Sequence, residues 1–213
     1  MTSFISYSKR LERLLTTMVS SVETHAKWLN TLSFLENCGA RKIAACEHPT
    51  LVKEEMLKHA AEEFRHAHYL KRQIGRITDE PFYYYARNQM LGDMITLHYL
   101  TALNLKTSRF LKNTNQSKTS IKELSYLLVT YAIELRAQQL YLLYDKILRQ
   151  NNSPITIKSI LLEENEHLKE MKEELKKFTT GSLYAEYVCA IESDLCKEWI
   201  KQIEIQLNIE KKE

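Results

Sequence analysis

Only four glycines and three prolines punctuate a chain of 213 residues, where ordinary usage would place roughly 25. Hairpins and sandwich corners need these residues for their turn conformations, so turn-rich β folds and collagen-like structures are excluded. What remains is an all-α chain, and its dominant residues, Leu, Glu, Lys and Ala, are good helix formers. The length is about 1.4 times the usual per-domain value, which predicts one domain over 1–213 rather than two small ones.

The few breakers fall between periodic segments. Gly39 with Pro49, Gly75 with Pro81, Asn151-Asn152-Ser153-Pro154 and Thr179-Thr180-Gly181 read as connections. The stretch 113–119 is polar, and Ser120-Ile121-Lys122-Glu123 after it has capping-box form. Ser153-Pro154 offers an N-cap and a proline for the first helical position. These marks predict six helices at 6–38, 50–75, 81–112, 120–150, 154–178 and 182–210, with a core over about 6–178 and a frayed tail at Lys211-Lys212-Glu213.

Hydrophobic content of 44%, charged content of 27% and a mean hydropathy of −0.38 describe a soluble globule. No uncharged apolar run approaches the roughly 18 residues of a membrane span. Lys9, Arg10, Glu12 and Arg13 interrupt the first apolar run, so a secretory leader is not expected and the location read is cytoplasmic. Cys38, Cys46, Cys189 and Cys196 form no C-x-x-C pair, which suits packed, reduced thiols. A net charge of +3 lends only weak support to a nucleic-acid or other acidic partner.

The apolar stripe of each core helix is broken at its middle by polar groups. The first predicted helix runs Val22, His25, Leu29, Leu32, Glu36, and the second Val52, Met56, His59, Glu63, His66, Leu70. The fourth runs Leu124, Leu127, Tyr131, Glu134, Gln138, Tyr141, and the fifth Ile157, Ile160, Glu164, His167, Met171. An unpaired buried carboxylate costs several kcal/mol, so something must compensate it, and a cation does so with the fewest groups.

Glu63-x-x-His66 and Glu164-x-x-His167 each set an acid and an imidazole one turn apart on one helical face, within reach of a common metal. With seven His and 23 Glu, random placement yields about 0.8 such pairs against the two found. Glu36 precedes Glu63 by 27 residues and Glu134 precedes Glu164 by 30. Each interval is a helix, a turn and a return, which brings paired glutamates to similar depth. Two hairpins thus present four carboxylates and two imidazoles, the donor set of bundle di-iron and di-manganese carboxylate proteins.

At these residues, over about 20–175, the sequence resembles the ferritin-like di-iron superfamily. Its members include ribonucleotide reductase small subunits, multicomponent monooxygenase hydroxylases, aldehyde-deformylating oxygenases and a tRNA hydroxylase. The resemblance implies a four-helix bundle with additional helices. It implies two Fe ions, or Mn or a mixed pair, with Glu36, Glu63 and His66 serving one and Glu134, Glu164 and His167 the other, and one or more glutamates bridging. Glu62 and Glu163 stand just before the motif glutamates, where related enzymes carry an acid that hydrogen-bonds the opposite metal histidine; the alternative is a solvated charge. His25 and His59 have their ordinary account as satisfied core histidines, with His59, one turn from Glu63, placed to enter the site from outside the ligand set. Tyr69 and Leu70 occupy the third and fourth positions after His66, a departure from the reductase's radical tyrosine.

Ferritins proper generally carry one complete Glu-x-x-His at the paired site, so two complete motifs resemble the enzymes that activate dioxygen. The expectation is therefore an O2-dependent oxidase or oxygenase acting on an organic substrate. Leu32, Met56, Phe64, Tyr131, Ile160 and Met171 are candidates for an apolar shell, and Tyr131 for a nearby modifiable tyrosine. The aromatic run Phe82-Tyr83-Tyr84-Tyr85 either flanks an access channel or anchors a packing helix. No rubredoxin-like cysteine quartet exists, so electrons are expected from an external reductase or small reductant, unlike in rubrerythrin. The last helix, with Tyr184, Tyr187 and Trp199, is placed to cover the bundle or to pair in a homodimer. Competing readings are a heme-oxygenase-like di-iron oxidase, which the complete Glu36 hairpin opposes, a ferroxidase or iron-handling protein, and a metal-free helical interaction module.

Overall fold

A computed structural model describes residues 4–48, 50–114 and 117–209. Pro49 and the tail Lys211-Lys212-Glu213, both singled out by the sequence, lie outside these residues. The described chain is all-helical, with α1 (Ser8–Val19), α2 (Val22–Cys46), α3 (Glu54–Ile74), α4 (Asp93–Lys112), α5 (Lys118–Gln150), α6 (Lys158–Lys176) and α7 (Gly181–Gln206), and a 3-10 turn at Arg87–Gln89. It is a helical bundle. α2 packs along α3 and α5 along α6, while α4 and α7 pair and lean on α5, and α1 packs on α5. No described helix is long and apolar enough to cross a membrane.

The first predicted helix is two helices. Ser20 and Ser21 separate them, with Ser21 extended at φ −125° and ψ 127°. The hydroxyls of Thr16, Thr17 and Ser20 donate to backbone carbonyls, and Thr24 Oγ1 reaches back to Met18 O at 2.8 Å. Such local bonds compete with helix continuation. Val22 and Val52, placed on inward stripes by the sequence, sit at or beside helix starts and are exposed.

Gly39 does not end a helix, since α2 runs seven residues further to Cys46. Its place in mid-helix matches a close approach: a Cβ on Gly39 would stand 3.1 Å from Glu63 Oε2.

The predicted helix 81–112 begins only at Asp93. Side chains of α2 claim the backbone groups of the segment before it. Asn30 Nδ2 donates to Tyr84 O and Gln89 O at 3.1 and 2.9 Å, and Leu91 N donates to Thr31 Oγ1 at 2.8 Å. Gly92 then turns the chain at φ +83°, where a Cβ would collide with Thr96 and Trp199. Tyr83 and Tyr84 are exposed, whereas Tyr85 packs on Phe34.

α6 starts at Lys158 rather than at the Ser153-Pro154 signal. Ile155 and Ile157 are both buried, and Arg76 and Tyr69 donate to the carbonyls of Pro154 and Thr156 at 2.9 Å. Core burial and these bonds hold 154–157 out of the helix. Ser117, not Ser120, caps α5, accepting from Ser120 N at 3.2 Å. α7 ends at Gln206, short of the predicted 210.

Two apolar clusters frame the interior. One gathers α1, α2, α5 and α7 around Trp28, Tyr141, Tyr144 and Trp199. The other joins α4, α5, α6 and α7 around Leu103, Leu128, Val188 and Cys189. A bidentate pair between Arg136 and Glu192, with both nitrogen–oxygen distances 2.8 Å, is buried between α5 and α7, and Tyr99 also donates to Glu192. The four cysteines are free, and Cys189 and Cys196 are buried, their thiols pushed up to about 12 chiefly by burial.

Candidate metal centre

The midpoints of α2, α3, α5 and α6 meet around the polar residues that break their stripes. Two overlapping groups of donors result: Glu36, Glu63, His66 and Glu164 in one, and His59, Glu63, Glu134 and His167 in the other. Within each group the donor atoms lie within 4.8 Å of one another. Glu63 belongs to both. Its carboxylate Oε1 lies 3.9 Å from His66 Nδ1, 3.6 Å from His167 Nδ1 and 3.4 Å from His59 Nε2.

All six residues implied as ligands by the sequence resemblance come together here, but their grouping differs from the expected one. Glu164 Oε1 faces His66 Nδ1 at 3.1 Å, so it falls with His66 rather than with His167 on its own helix. His59, expected outside the donor set, lies inside it, with Nε2 3.2 Å from Glu134 Oε1 and its ring 4.0 Å from that of His167. The two hairpins interdigitate, and each group therefore draws on three helices.

The outer nitrogens of the motif histidines are held from the opposite hairpin. Glu163 Oε2 meets His66 Nε2 at 2.6 Å, and Glu62 Oε2 meets His167 Nε2 at 2.9 Å. Glu163 is held in turn by Arg65. These bonds turn each Nδ1 toward the carboxylates, the orientation a metal-binding imidazole requires.

Among the described residues, nine buried side-chain polar atoms have no hydrogen-bond partner, and five are in this site: Glu63 Oε1, His66 Nδ1, Glu134 Oε2, Glu164 Oε1 and His167 Nδ1. His66 Nδ1 and Glu164 Oε1 face each other at 3.1 Å without the geometry of a hydrogen bond. Orphaned groups at this depth each cost about 1–3 kcal/mol. Oxygen and imidazole donors converging with their lone pairs unused fit a first-row divalent cation.

The electrostatics agree. Burial and the neighbouring carboxylates push Glu36 and Glu164 well above the usual range, and burial with Glu63 close by moves Glu134 up to about 8. Glu63 is the exception: burial opposes its charge, but the closeness of His59, Glu36 and His66 brings it to about 2. Burial also opposes charging of His66, yet Glu164 and the other carboxylates around it raise it to about 8. Burial and the adjacent His59 lower His167. Four carboxylates cannot all ionise in this space without positive charge among them.

Two tyrosines reach the site. Tyr141 donates its hydroxyl to Glu36, and Tyr126 Oη lies 3.4 Å from His59 Nδ1. Tyr131, expected beside the donors, instead packs in the second apolar cluster, and burial together with Cys189 raises its hydroxyl. His25 is a satisfied core histidine, bonded through Nε2 to Tyr144 Oη at 2.7 Å.

A cavity of about 110 Å³ opens on the carboxylate face. Glu36, Glu63, Glu134 and Glu164 line one wall, and Leu32, Ile43, Val129, Ile133 and Leu140 supply apolar surface. Of the apolar shell expected from the sequence, Leu32 lines this cavity, Met56, Ile160 and Met171 are buried outside it, and Phe64 is exposed. The aromatic run 82–85 takes no part in its walls. The chain matches no family model, no curated protein and no solved structure.

Proposed function

We propose that the chain is a ferritin-like di-metal carboxylate oxidoreductase that activates O2 at two iron ions, or at manganese or a mixed pair, to oxidise or oxygenate an organic substrate. The observation that carries the reading is the convergence of five unpartnered buried donor atoms in two groups sharing Glu63. A pair of ferrous ions supplies open positions for O2 and a two-electron change of oxidation state.

The chain's own part follows from the site. Glu63, common to both groups, is the bridging candidate, while His66 and His167 offer Nδ1 and keep the proton on Nε2 against Glu163 and Glu62. Tyr141 holds Glu36 by its hydroxyl, which lets that carboxylate turn about a fixed point. The apolar cavity walls exclude water and admit a small or slender organic molecule to the carboxylate face. Neither donor group contains a cysteine, so the reading assigns the electrons to a separate reductant.

Anaerobic loading with Fe(II) tests the proposal. The expected result is about two irons per chain and stoichiometric O2 uptake in a single turnover. Mineral accumulation far beyond two irons would establish storage instead, and failure to bind any metal would leave a structural or interaction module.

A further inference from the structure

Resting on the two-metal reading, we infer that His59 is a third imidazole ligand, which makes the two metal positions chemically unequal. The position served by His59 and His167 has two nitrogen donors with Glu63 and Glu134. The position served by His66 has one, with Glu36, Glu63 and Glu164.

Three relationships support this. His59 Nε2 is hydrogen-bonded to Glu134 Oε1 at 3.2 Å and lies 3.4 Å from Glu63 Oε1, inside the span of the other donors. His59 sits one turn before Glu63 on α3, so the spacing 59, 63, 66 lays all three side chains on the same buried face. Each of the three histidines also has its far nitrogen at an outer oxygen: His66 at Glu163, His167 at Glu62 and His59 at Tyr126 Oη, 3.4 Å away. An imidazole held at one nitrogen and turned with the other into a carboxylate group is the arrangement of a metal ligand. His25 differs, since it ends at Tyr144 within apolar packing.

Because imidazole binds later first-row ions more strongly than carboxylate does, the first equivalent of cobalt(II) enters the His59–His167 position. The two equivalents therefore bind in separable steps.

Proton NMR of the full chain loaded with cobalt(II) in ordinary water tests the inference. Each ligated histidine contributes one strongly shifted, exchangeable ring N–H, so three such signals are expected. In Tyr126→Phe one of the three should exchange faster with solvent while two stay unchanged. His59→Gln should remove one signal and weaken the first binding step by at least 10-fold, leaving the second. Two signals in the unmodified protein overturn the inference while leaving a two-metal site intact, and this count does not depend on any variant folding. No cobalt binding at all overturns the two-metal reading and this inference with it.

Discussion

Gly39 faces the carboxylate of Glu63 across the α2–α3 contact, and a methyl group added to it would lie 3.1 Å from Glu63 Oε2. A mid-helix glycine costs about 0.5–1 kcal/mol relative to alanine, so its presence has to be set against room for the residue shared by both donor groups. Gly39→Ala should raise the thermal stability of the metal-free protein slightly and lower metal affinity by displacing Glu63. Melting curves with and without metal separate the two effects; a variant stabilised equally in both states would refute the spacing argument.

Removing the outer carboxylates should loosen the motif histidines without touching a donor atom. Glu163→Gln and Glu62→Gln are each expected to weaken metal binding by about 10–100-fold. Competition against a chelator of known affinity measures this. The Glu163 variant also frees Arg65, so Arg65→Gln is the control that isolates the His66 contact.

His66→Ala or His167→Ala should cost one metal per chain and lower the melting temperature of the loaded form, because binding to the folded state alone adds stability. The metal-free form should change less, since each substitution removes an orphaned buried nitrogen. Two metals bound with unchanged affinity in both variants would show that the donors are wrongly assigned.

His25 sets an acid limit on stability that is independent of metal. Burial lowers its pKa from 6.5 to about 4, so on acidification the unfolded chain takes up this proton first. The stabilisation is fully present above about pH 6.5 and is lost toward pH 4 at about 1.4 kcal/mol per pH unit. His25→Gln does not titrate and retains a partner for Tyr144. Denaturant unfolding of metal-free protein at several pH values should show the variant's dependence flatter by roughly 1–3 kcal/mol over that interval.

Arg136 and Glu192 are both buried, and the pair is satisfied further by Tyr99 and by the carbonyl of Ile5. Arg136→Leu should destabilise the protein by about 3–5 kcal/mol, because Glu192 is left charged without its partner. The double variant with Glu192→Leu should recover much of that loss. Equal destabilisation by the single and double variants would count against the desolvation account.

What could be read in advance was what repeats locally. The polar interruptions at Glu36, Glu63, His66, Glu134, Glu164 and His167 were visible because each broke a regular apolar stripe, and the structure brings all six into one site. Their grouping was not visible. Glu164 and His167 are neighbours on α6, yet interdigitation of the two hairpins sends Glu164 toward His66. His59 had the stripe position of a core histidine, and only the approach of Glu134 from α5 distinguishes it from His25. Tyr131 and Tyr141 both lay on the inward stripe of the predicted helix, and the packing of α4 and α7 on α5 turned one away. Local signals misled where tertiary contacts decided: Gly39 marks a close approach to Glu63 inside α2 rather than a helix end, and 81–92 is drawn out of helix by Asn30 and Thr31. The serine pair at 20–21, which does end a helix, was masked by apolar periodicity running through it.

The bond between His66 and Glu163 spans 97 residues, and the one between His167 and Glu62 spans 105. A growing chain that has emerged only through α5 already displays Glu36, His59, Glu63, His66 and Glu134, but neither outer clasp is in place. Glu62 then lacks His167 and His66 lacks Glu163, so both histidine orientations are fixed only when α6 docks. On the two-metal reading, tight capture of a cation therefore waits for α6 to dock, and a fragment stalled before α6 is expected to bind weakly. The centre would thereby depend on the docking of two hairpins far apart in sequence, a dependence that hairpins carrying self-contained sites would not have.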